Sequence, residues 1–427
     1  MKVYLDTVGC RLNQSEIETI GGQFRAQGHT IIADADQADL AVINTCAVTV
    51  NAASDSRKLI RRIAREGAKE IVVTGCWATM NPNGAAAFPK VSRVVVNGEK
   101  DRLVPDQLSV PFETFDLEPV AREPLPGARL RTRAFIKVQD GCDNRCTFCI
   151  TTVVRGEGRS RPVESVLADV NAAVRGGVQE VVLTGVHLGS WGQDFAGSMN
   201  LKYLVQAILH RTNVSRVRLS SLEPWDLDED FFRLWGDEPR LCRHLHLPLQ
   251  SGCDATLRRM ARKTTQASFR KLVKAARAVC PEIAITTDLI AGFPGETEDE
   301  FAETMAFVKA IGFAGGHVFT YSPRQGTAAA KMPGQVPPPV RRERNAQLRE
   351  VLEVGSSAYH AQFLHKTLPV LWESAAALGP DGWQMSGLTD NYLRVNASAP
   401  QDLWNQITNV ELINLKDGVL EGVLLEV

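Results

Sequence analysis

The chain has 427 residues, too many for one compact core, so two or three domains are expected. Its net charge is -1, with 48 basic against 49 acidic residues, which excludes a globally polycationic nucleic-acid binder and confines any such site to a local patch. No run of about 18 apolar residues occurs, so no membrane-spanning helix is expected, and the start, MKVYLDTVGC, lacks the charged and apolar regions of a signal peptide.

The nine cysteines are therefore read in a reducing, cytoplasmic setting, where clustered thiols mean metal or catalysis more often than disulfides. Residues 2 to about 100 alternate strand and helix signals. The apolar run 3–5 leads to Gly9-Cys10. A helix is predicted over about 15–26, with Ser15 as its N-cap and Gly28 as its stop. Strands are predicted at 30–32 and 40–43, the second ending at Asn44-Thr45-Cys46. A basic helix covers about 52–66, and the strand 70–73 ends at Thr74-Gly75-Cys76. This alternation predicts a doubly wound parallel sheet for residues 1–104. Cys10, Cys46 and Cys76 each follow the carboxyl end of a predicted strand, the edge where such sheets collect ligands. One such cysteine is ordinarily a buried small hydrophobe. Three at equivalent strand ends are expected to converge.

Residues 105–127 carry prolines and acidic interruptions with little periodicity and read as a linker. A short basic run, 129–133, precedes a strand at 134–138, which delivers the loop 141–155, GCDNRCTFCITTVVR. Further strands are predicted at 180–183, 217–219, 244–247, 283–287 and 316–319, and helices at 163–175, 201–211, 269–279 and 297–311. This number of strand-helix units predicts a partial (β/α)6 barrel rather than a closed eight-fold one. A Pro-Gly-rich connection at 332–339 and a charged helix over about 340–366 complete the segment 128–366. Residues 367–427 change character. Short alternating stretches at 369–373, 383–387, 393–395, 409–413 and 419–427, separated by Gly- and Asn-containing turns, predict a small all-β barrel.

Within the loop, Cys142, Cys146 and Cys149 stand in the spacing C-x3-C-x2-C. A structural zinc site is usually closed by four ligands, and no fourth ligand stands at finger spacing here. Three thiolates on a four-iron cluster leave one iron open. Cys242, Cys253 and Cys280 have no metal-like spacing and read as structural.

This loop, set directly after the first strand of a strand-helix repeat, resembles that of the radical S-adenosylmethionine superfamily. The resemblance implies that the open iron chelates the amino and carboxylate groups of S-adenosylmethionine, whose cleavage releases a 5′-deoxyadenosyl radical. It also implies cofactor contacts from Phe148, beside the last cysteine, and from groups at later strand ends: Thr184 and Gly185, Glu223, His246 and Gln250, Asp288 and Gly292. The glycines there permit close backbone approach to a ligand.

Three N-terminal cysteines, the loop and a terminal β-barrel, in that order, resemble the methylthiotransferases over nearly the whole chain. That family implies a second [4Fe-4S] cluster on Cys10, Cys46 and Cys76. It also implies that S-adenosylmethionine serves as methyl donor and radical source, with no side chain needed as acid or base. Residues 387–392, GLTDNY, resemble a segment of the RNA-binding TRAM domain and imply RNA contacts from Tyr392 and Arg394. The basic helix would offer Arg57 and Arg61 to an anticodon stem-loop, although a plain solvated helix face reads equally well. The segments 7–16, 44–49 and 139–144 look most like the branch acting on N6-threonylcarbamoyladenosine next to the tRNA anticodon, where carbon 2 exchanges C–H for C–S–CH3. Alternatives are the same chemistry on N6-isopentenyladenosine or on an aspartate of a small-subunit ribosomal protein, or a non-catalytic iron–sulfur RNA-binding protein. One departure is 150–155, ITTVVR, where many relatives carry Ile-Pro-Tyr. The implied partners are tRNA and a reductant such as a flavodoxin or ferredoxin. The sulfur donor is unspecified, and no membrane partner is expected.

Overall fold

The computed structural model describes residues 1–115, 132–379 and 382–425. Strands β1 (Lys2–Thr7), β2 (Thr30–Ile32), β3 (Leu40–Thr45), β4 (Glu70–Gly75) and β5 (Val91–Val95) form one parallel sheet in the order β2-β1-β3-β4-β5. Every residue of β3 is buried, as befits a strand covered on both faces. Helix α1 (Arg11–Ala26) packs Ile17, Ile20 and Phe24 with Val3, Val42 and Val72 on one face. Helix α2 (Val50–Glu66) packs Leu59, Ile60 and Ile63 with Ala41, Ile43 and Val73 on the other. The predicted doubly wound sheet is therefore present, with β5 as an additional edge strand.

Helix α1 begins earlier than predicted. Cys10 takes the cap position, and Ser15 lies buried inside the helix. The reason is tertiary: Ser15 Oγ accepts the Lys137 backbone N–H at 3.1 Å. A short helix α3 (Cys76–Met80) opens directly on Cys76. Of the predicted linker, residues up to 108 finish helix α4 (Leu103–Leu108), whose Leu103 and Val104 enter the first core, and Phe112–Phe115 form a 3-10 turn. Residues 116–127, and 129–131 of the basic run, lie outside the described residues.

Six parallel strands follow: β6 (Arg133–Lys137), β7 (Glu180–Thr184), β8 (Arg216–Leu219), β9 (His244–His246), β10 (Ala284–Ala291) and β11 (Gly315–Thr320). They pair as β6-β7-β8 and β9-β10-β11, and the bridges Val217–Leu241 and Ser221–His246 join the halves into a partial barrel. The helices between them are α5 (Thr151–Arg155), α6 (Val163–Arg175), α7 (Leu201–Arg211), α8 (Gln266–Val279) and α9 (Glu298–Ile311), followed by α10 (Pro338–Ala361). Val181, Leu183, Val217, Leu219, Leu245 and Ile285 pack outward against Leu204, Ile208, Phe269 and Phe307. The alternate residues, among them Arg218, His244, His246 and Asp288, therefore face the lumen. The open edge at β6 is covered by α1, which supplies Ser15 to an otherwise free strand N–H.

The third unit is a closed five-stranded barrel of β12 (Thr367–Gly379), β13 (Gly382–Thr389), β14 (Arg394–Ala399), β15 (Ile407–Lys416) and β16 (Val419–Leu424), in the order β12-β13-β14-β16-β15. Trp372, Val370, Val395, Val410 and Leu420 fill it. Its loop 388–392 docks on the starts of the central strands. Arg216 donates to Leu388 O (3.1 Å) and Pro369 O (2.8 Å). The fully buried Arg218 donates to both Glu180 oxygens and to the carbonyls of Thr389 and Asp390. Arg243 clamps the Asp390 carboxylate at 2.6 and 3.0 Å. Among the described residues, no helix is long and apolar enough to cross a membrane.

Candidate active site

The loop after β6 is held from several sides. Gly141 has φ +71°, and a Cβ there would lie 1.8 Å from Glu157 O, so only glycine fits. Cys142 N–H donates to Gly156 O at 3.0 Å, and Thr147 bonds through N–H to Met260 O and through its hydroxyl to Arg259 O. Cys149 Sγ accepts the Thr151 N–H at 3.4 Å, and Cys146 Sγ accepts Arg262 Nη1 at 3.9 Å. Burial pushes the Cys146 thiol up to about 11 and raises Cys149 as well. Metal binding here has to displace protons from these thiols. The buried His187 bonds Asp226 at 2.6 Å and stands beside Cys142. Burial pulls the His187 pKa down, but the bonds to Asp226 and Cys142 outweigh it and push the imidazole up to about 10.

Cys10, Cys46 and Cys76 follow β1, β3 and β4, three neighbouring strands, and the structure brings them together. Gly9, with φ +117°, presents its bare Cα to Cys46: a Cβ would sit 2.7 Å from the sulfur. Asn13 stitches the first two loops, donating to Val8 O and Thr45 O at 2.9 and 3.1 Å. Cys46 Sγ accepts Val48 N–H at 3.5 Å, and Cys76 Sγ accepts Asn97 Nδ2 at 3.6 Å. Burial, reinforced by the neighbouring Cys10 and Cys76, raises Cys46 to about 11, while Arg155 and the Val48 amide oppose the rise. Among the described residues, no three His, Cys, Asp or Glu side chains close onto a single-ion site. Both triads are all-thiol donor sets on backbone loops that already donate to sulfur, which suits iron–sulfur ligation.

The two triads meet at one domain boundary. Ile150 and Val154 of the first loop belong to the hydrophobic core of the N-terminal sheet. Asn97 Nδ2 also donates to Val154 O at 2.9 Å. Arg155 donates to Glu16 and Asp140 at 2.9 Å each and to Asn13 Oδ1 at 2.8 Å. Lys100 and Lys137 complete this buried network around Glu16. Arg324, after β11, donates to Ala47 O, next to Cys46. Arg155, Arg262, Arg324 and the His187–Asp226 pair were not singled out by sequence; each acts through a partner far away in the chain.

The candidate cofactor residues occupy the mouth of the lumen unequally. His246 bonds Thr286 Oγ1 at 3.0 Å and Asp288 Oδ2 at 3.3 Å. Asp288 Oδ1, Ser220 Oγ and Trp225 Nε1 are buried without a partner, as polar groups awaiting a ligand would be. Gln250 adopts φ +71°, and its backbone bridges Asp288 O and Ile290 N–H. Phe148 packs edge-on to Phe293 at 6.4 Å. Others are already engaged. Glu223 gives both oxygens to Arg262, which links it to Cys146. Thr184 is buried and bonded to Ile136 O, and Gly185 faces Gln139 Oε1. The expected close approach at Gly292 is made by the chain itself: a Cβ there would lie 2.2 Å from Arg341 Cγ.

Among the RNA candidates, Tyr392 lies in the contact between the small barrel and the central strands. Its ring stacks on His244 at 4.3 Å and lies under the Arg218 guanidinium, while Arg11 donates to its hydroxyl at 2.8 Å. The segment 387–392 thus docks on the central strands, with Tyr392 half-buried in that contact. Arg394 is exposed and pairs with Glu373 at 3.2 Å. Arg57 lies over the Trp77 ring, next to Cys76, and Arg61 over Phe88 at 5.2 Å.

Residues 136–308 match the model of the radical SAM superfamily, and residues 2–97 that of uncharacterized protein family UPF0004. The threonylcarbamoyladenosine tRNA methylthiotransferase MtaB of Bacillus subtilis (strain 168) is 34% identical over 443 residues, covering 100% of this chain and 96% of that protein. The MtaB of Thermotoga maritima is 34% identical over 429 residues, covering 99% and 96%. The tRNA-2-methylthio-N(6)-dimethylallyladenosine synthase of Oceanobacillus iheyensis is 31% identical over 443 residues, covering 100% and 84%. In fold, the chain is similar to the radical S-adenosylmethionine methyltransferase TsrM of Kitasatospora setae with cobalamin and a [4Fe-4S] cluster, with a TM-score of 0.59, 15% identity and 77% of each chain covered. Full-length identity, both family matches and the all-thiol loop agree: the chain belongs to the radical S-adenosylmethionine methylthiotransferases, in their MtaB branch, enzymes whose family implies S-adenosylmethionine and a [4Fe-4S] cluster.

Proposed function

We propose that the enzyme exchanges the C–H at carbon 2 of N6-threonylcarbamoyladenosine, next to the tRNA anticodon, for C–S–CH3, with one [4Fe-4S] cluster on Cys142, Cys146 and Cys149 and a second on Cys10, Cys46 and Cys76. The observation that carries this reading is the meeting of two thiol triads at one domain boundary, tied by Asn97 and Arg155. The substrates in the relatives' names support the choice of base. When bound, a cluster and S-adenosylmethionine supply a carbon radical, a reagent suited to an aromatic C–H that no side-chain base can deprotonate.

The chain's own residues bind and orient. Arg262 and the Thr151 amide donate to Cys146 and Cys149, and the His187–Asp226 pair braces the loop at Cys142. Asp288, Ser220 and Trp225 offer their unpartnered polar atoms to the cofactor's polar groups, with Phe148 beside its ring. Arg57, Arg61 and the exposed Arg394 would meet phosphates of the anticodon stem-loop. The setting is cytoplasmic, with a flavodoxin- or ferredoxin-like reductant.

Two cysteine variants test the division of labour in anaerobically reconstituted protein. Cys146→Ala is expected to stop 5′-deoxyadenosine formation. Cys46→Ala is expected to retain it and lose methylthio transfer. Methylthiolation by Cys46→Ala would remove the second cluster from the scheme. Mass analysis of tRNA nucleosides from a deletion strain decides the substrate: loss of the methylthio group from threonylcarbamoyladenosine is expected, and loss from the isopentenylated base assigns the other branch.

A further inference from the structure

Arg324 differs from the carboxylate-paired cations of the domain boundary. Arg155 and Lys137 pair with Glu16 and Asp140, Lys100 pairs with Glu16, and Arg262 pairs with Glu223. Arg324 is half-buried and, among the described residues, pairs with no carboxylate. Burial pulls its pKa down, and the groups that act against this are the thiols of Cys149 and Cys46 and the Tyr321 hydroxyl. Arg324 reaches the loop of one triad directly, at Ala47 O, and belongs to a turn bonded to the loop of the other, at Thr147 O.

Its backbone is fixed on one side of the boundary. Tyr321, just upstream, is buried against Phe293 at 5.3 Å, and its N–H donates to Ala291 O. The Arg324 carbonyl accepts both the amide (3.1 Å) and the hydroxyl (2.8 Å) of the buried Thr327, which closes a tight turn. Within that turn, a Cβ at Gly326 would come within 3.5 Å of Ile150 Cδ1. Ala329 N–H then donates at 2.9 Å to Thr147 O, between Cys146 and Cys149. The turn is thus sewn to one cysteine loop, while its guanidinium crosses to the other domain and donates to Ala47 O beside Cys46.

We propose that Arg324 is a positioning residue that holds the two cysteine seats in register and presents its uncompensated charge to the space between them. A half-buried guanidinium without an anion is costly. Thiolates formed on metal binding are such anions, so the charge is matched only when the seats are filled. The planar fork lets one side chain bind a carbonyl and still face a second group, which an ammonium does less well.

This inference rests on the two-seat reading above, and its test separates the two. Wild type, Arg324→Ala and Arg324→Lys are compared after anaerobic reconstitution by amide hydrogen exchange over residues 44–50, and by the ratio of methylthiolated nucleoside to 5′-deoxyadenosine. Loss of one charge-assisted hydrogen bond is expected to speed exchange at 46–49 about tenfold or more in the alanine variant. The product ratio is expected to fall by about the same factor, with the lysine variant between alanine and wild type. Unchanged exchange, or an unchanged ratio, in both variants overturns the proposal. If wild type itself transfers no methylthio group, the two-seat reading fails, and the exchange measurement still decides whether Arg324 braces the Cys46 loop.

Discussion

At the scale of single residues, the site depends on charges buried between domains. Arg155 is almost wholly buried with Glu16 and Asp140, and removing one member of such a group leaves the others unpaired. Arg155→Ala is expected to cost about 3–5 kcal/mol, read from urea unfolding; a loss below about 1 kcal/mol would mean that the network only fills space. The carboxyls also set a pH response. Burial works to raise both, but Lys100, Lys137 and Arg155 outweigh it at Glu16, and Lys137 and Arg155 at Asp140. Glu16 is held well below the usual carboxylate range and Asp140 at about 2. Their stabilisation is complete above the unfolded pKa of about 4 and is lost as pH falls through the folded values. Thermal stability should therefore fall from about pH 4 downwards, and Arg155→Ala should show a smaller slope. Cys142, Cys146 and Cys149 stood out in the sequence by their spacing, and Cys10, Cys46 and Cys76 by their places after strand ends. Arg155 and Arg324 did not, because their partners stand 139 and 277 positions away.

At the scale of elements, the strand-helix alternation told almost everything about order and little about what joins the units. Helix ends were readable where an ordinary cap marks them: the Thr297 hydroxyl accepts the Glu300 N–H at the start of α9. The start of α1 was misread because its cap is Cys10 and the apparent cap, Ser15, serves a strand of another domain. The junction between β4 and α3 is a sharper case. Gly75 has φ +99°, and a Cβ would lie 2.2 Å from Thr45 O. Gly75→Ala is expected to destabilise by more than about 1 kcal/mol and to displace Cys76. Iron bound after reconstitution should fall towards half of the wild-type value, and full iron loading would show that the turn tolerates the change.

At the scale of the whole molecule, three units are locked by contacts that no local pattern announces. The small barrel was legible as a barrel, but its GLTDNY segment is spent on docking. Asp390 answers Arg243, while the neighbouring carbonyls answer Arg216 and Arg218. Asp390→Asn keeps the shape and removes the charge. It is expected to cost about 3 kcal/mol of docking, seen in calorimetry as separation of a barrel transition from the main one. A single unchanged transition would place the docking energy elsewhere. The same contacts put Tyr392, His244 and Arg218 across the starts of the central strands, opposite the cysteine loop. With that end filled, the end at the cysteine loops is the one left to small molecules, so under the proposed function exchange of the cofactor is expected to wait until the tRNA has left it.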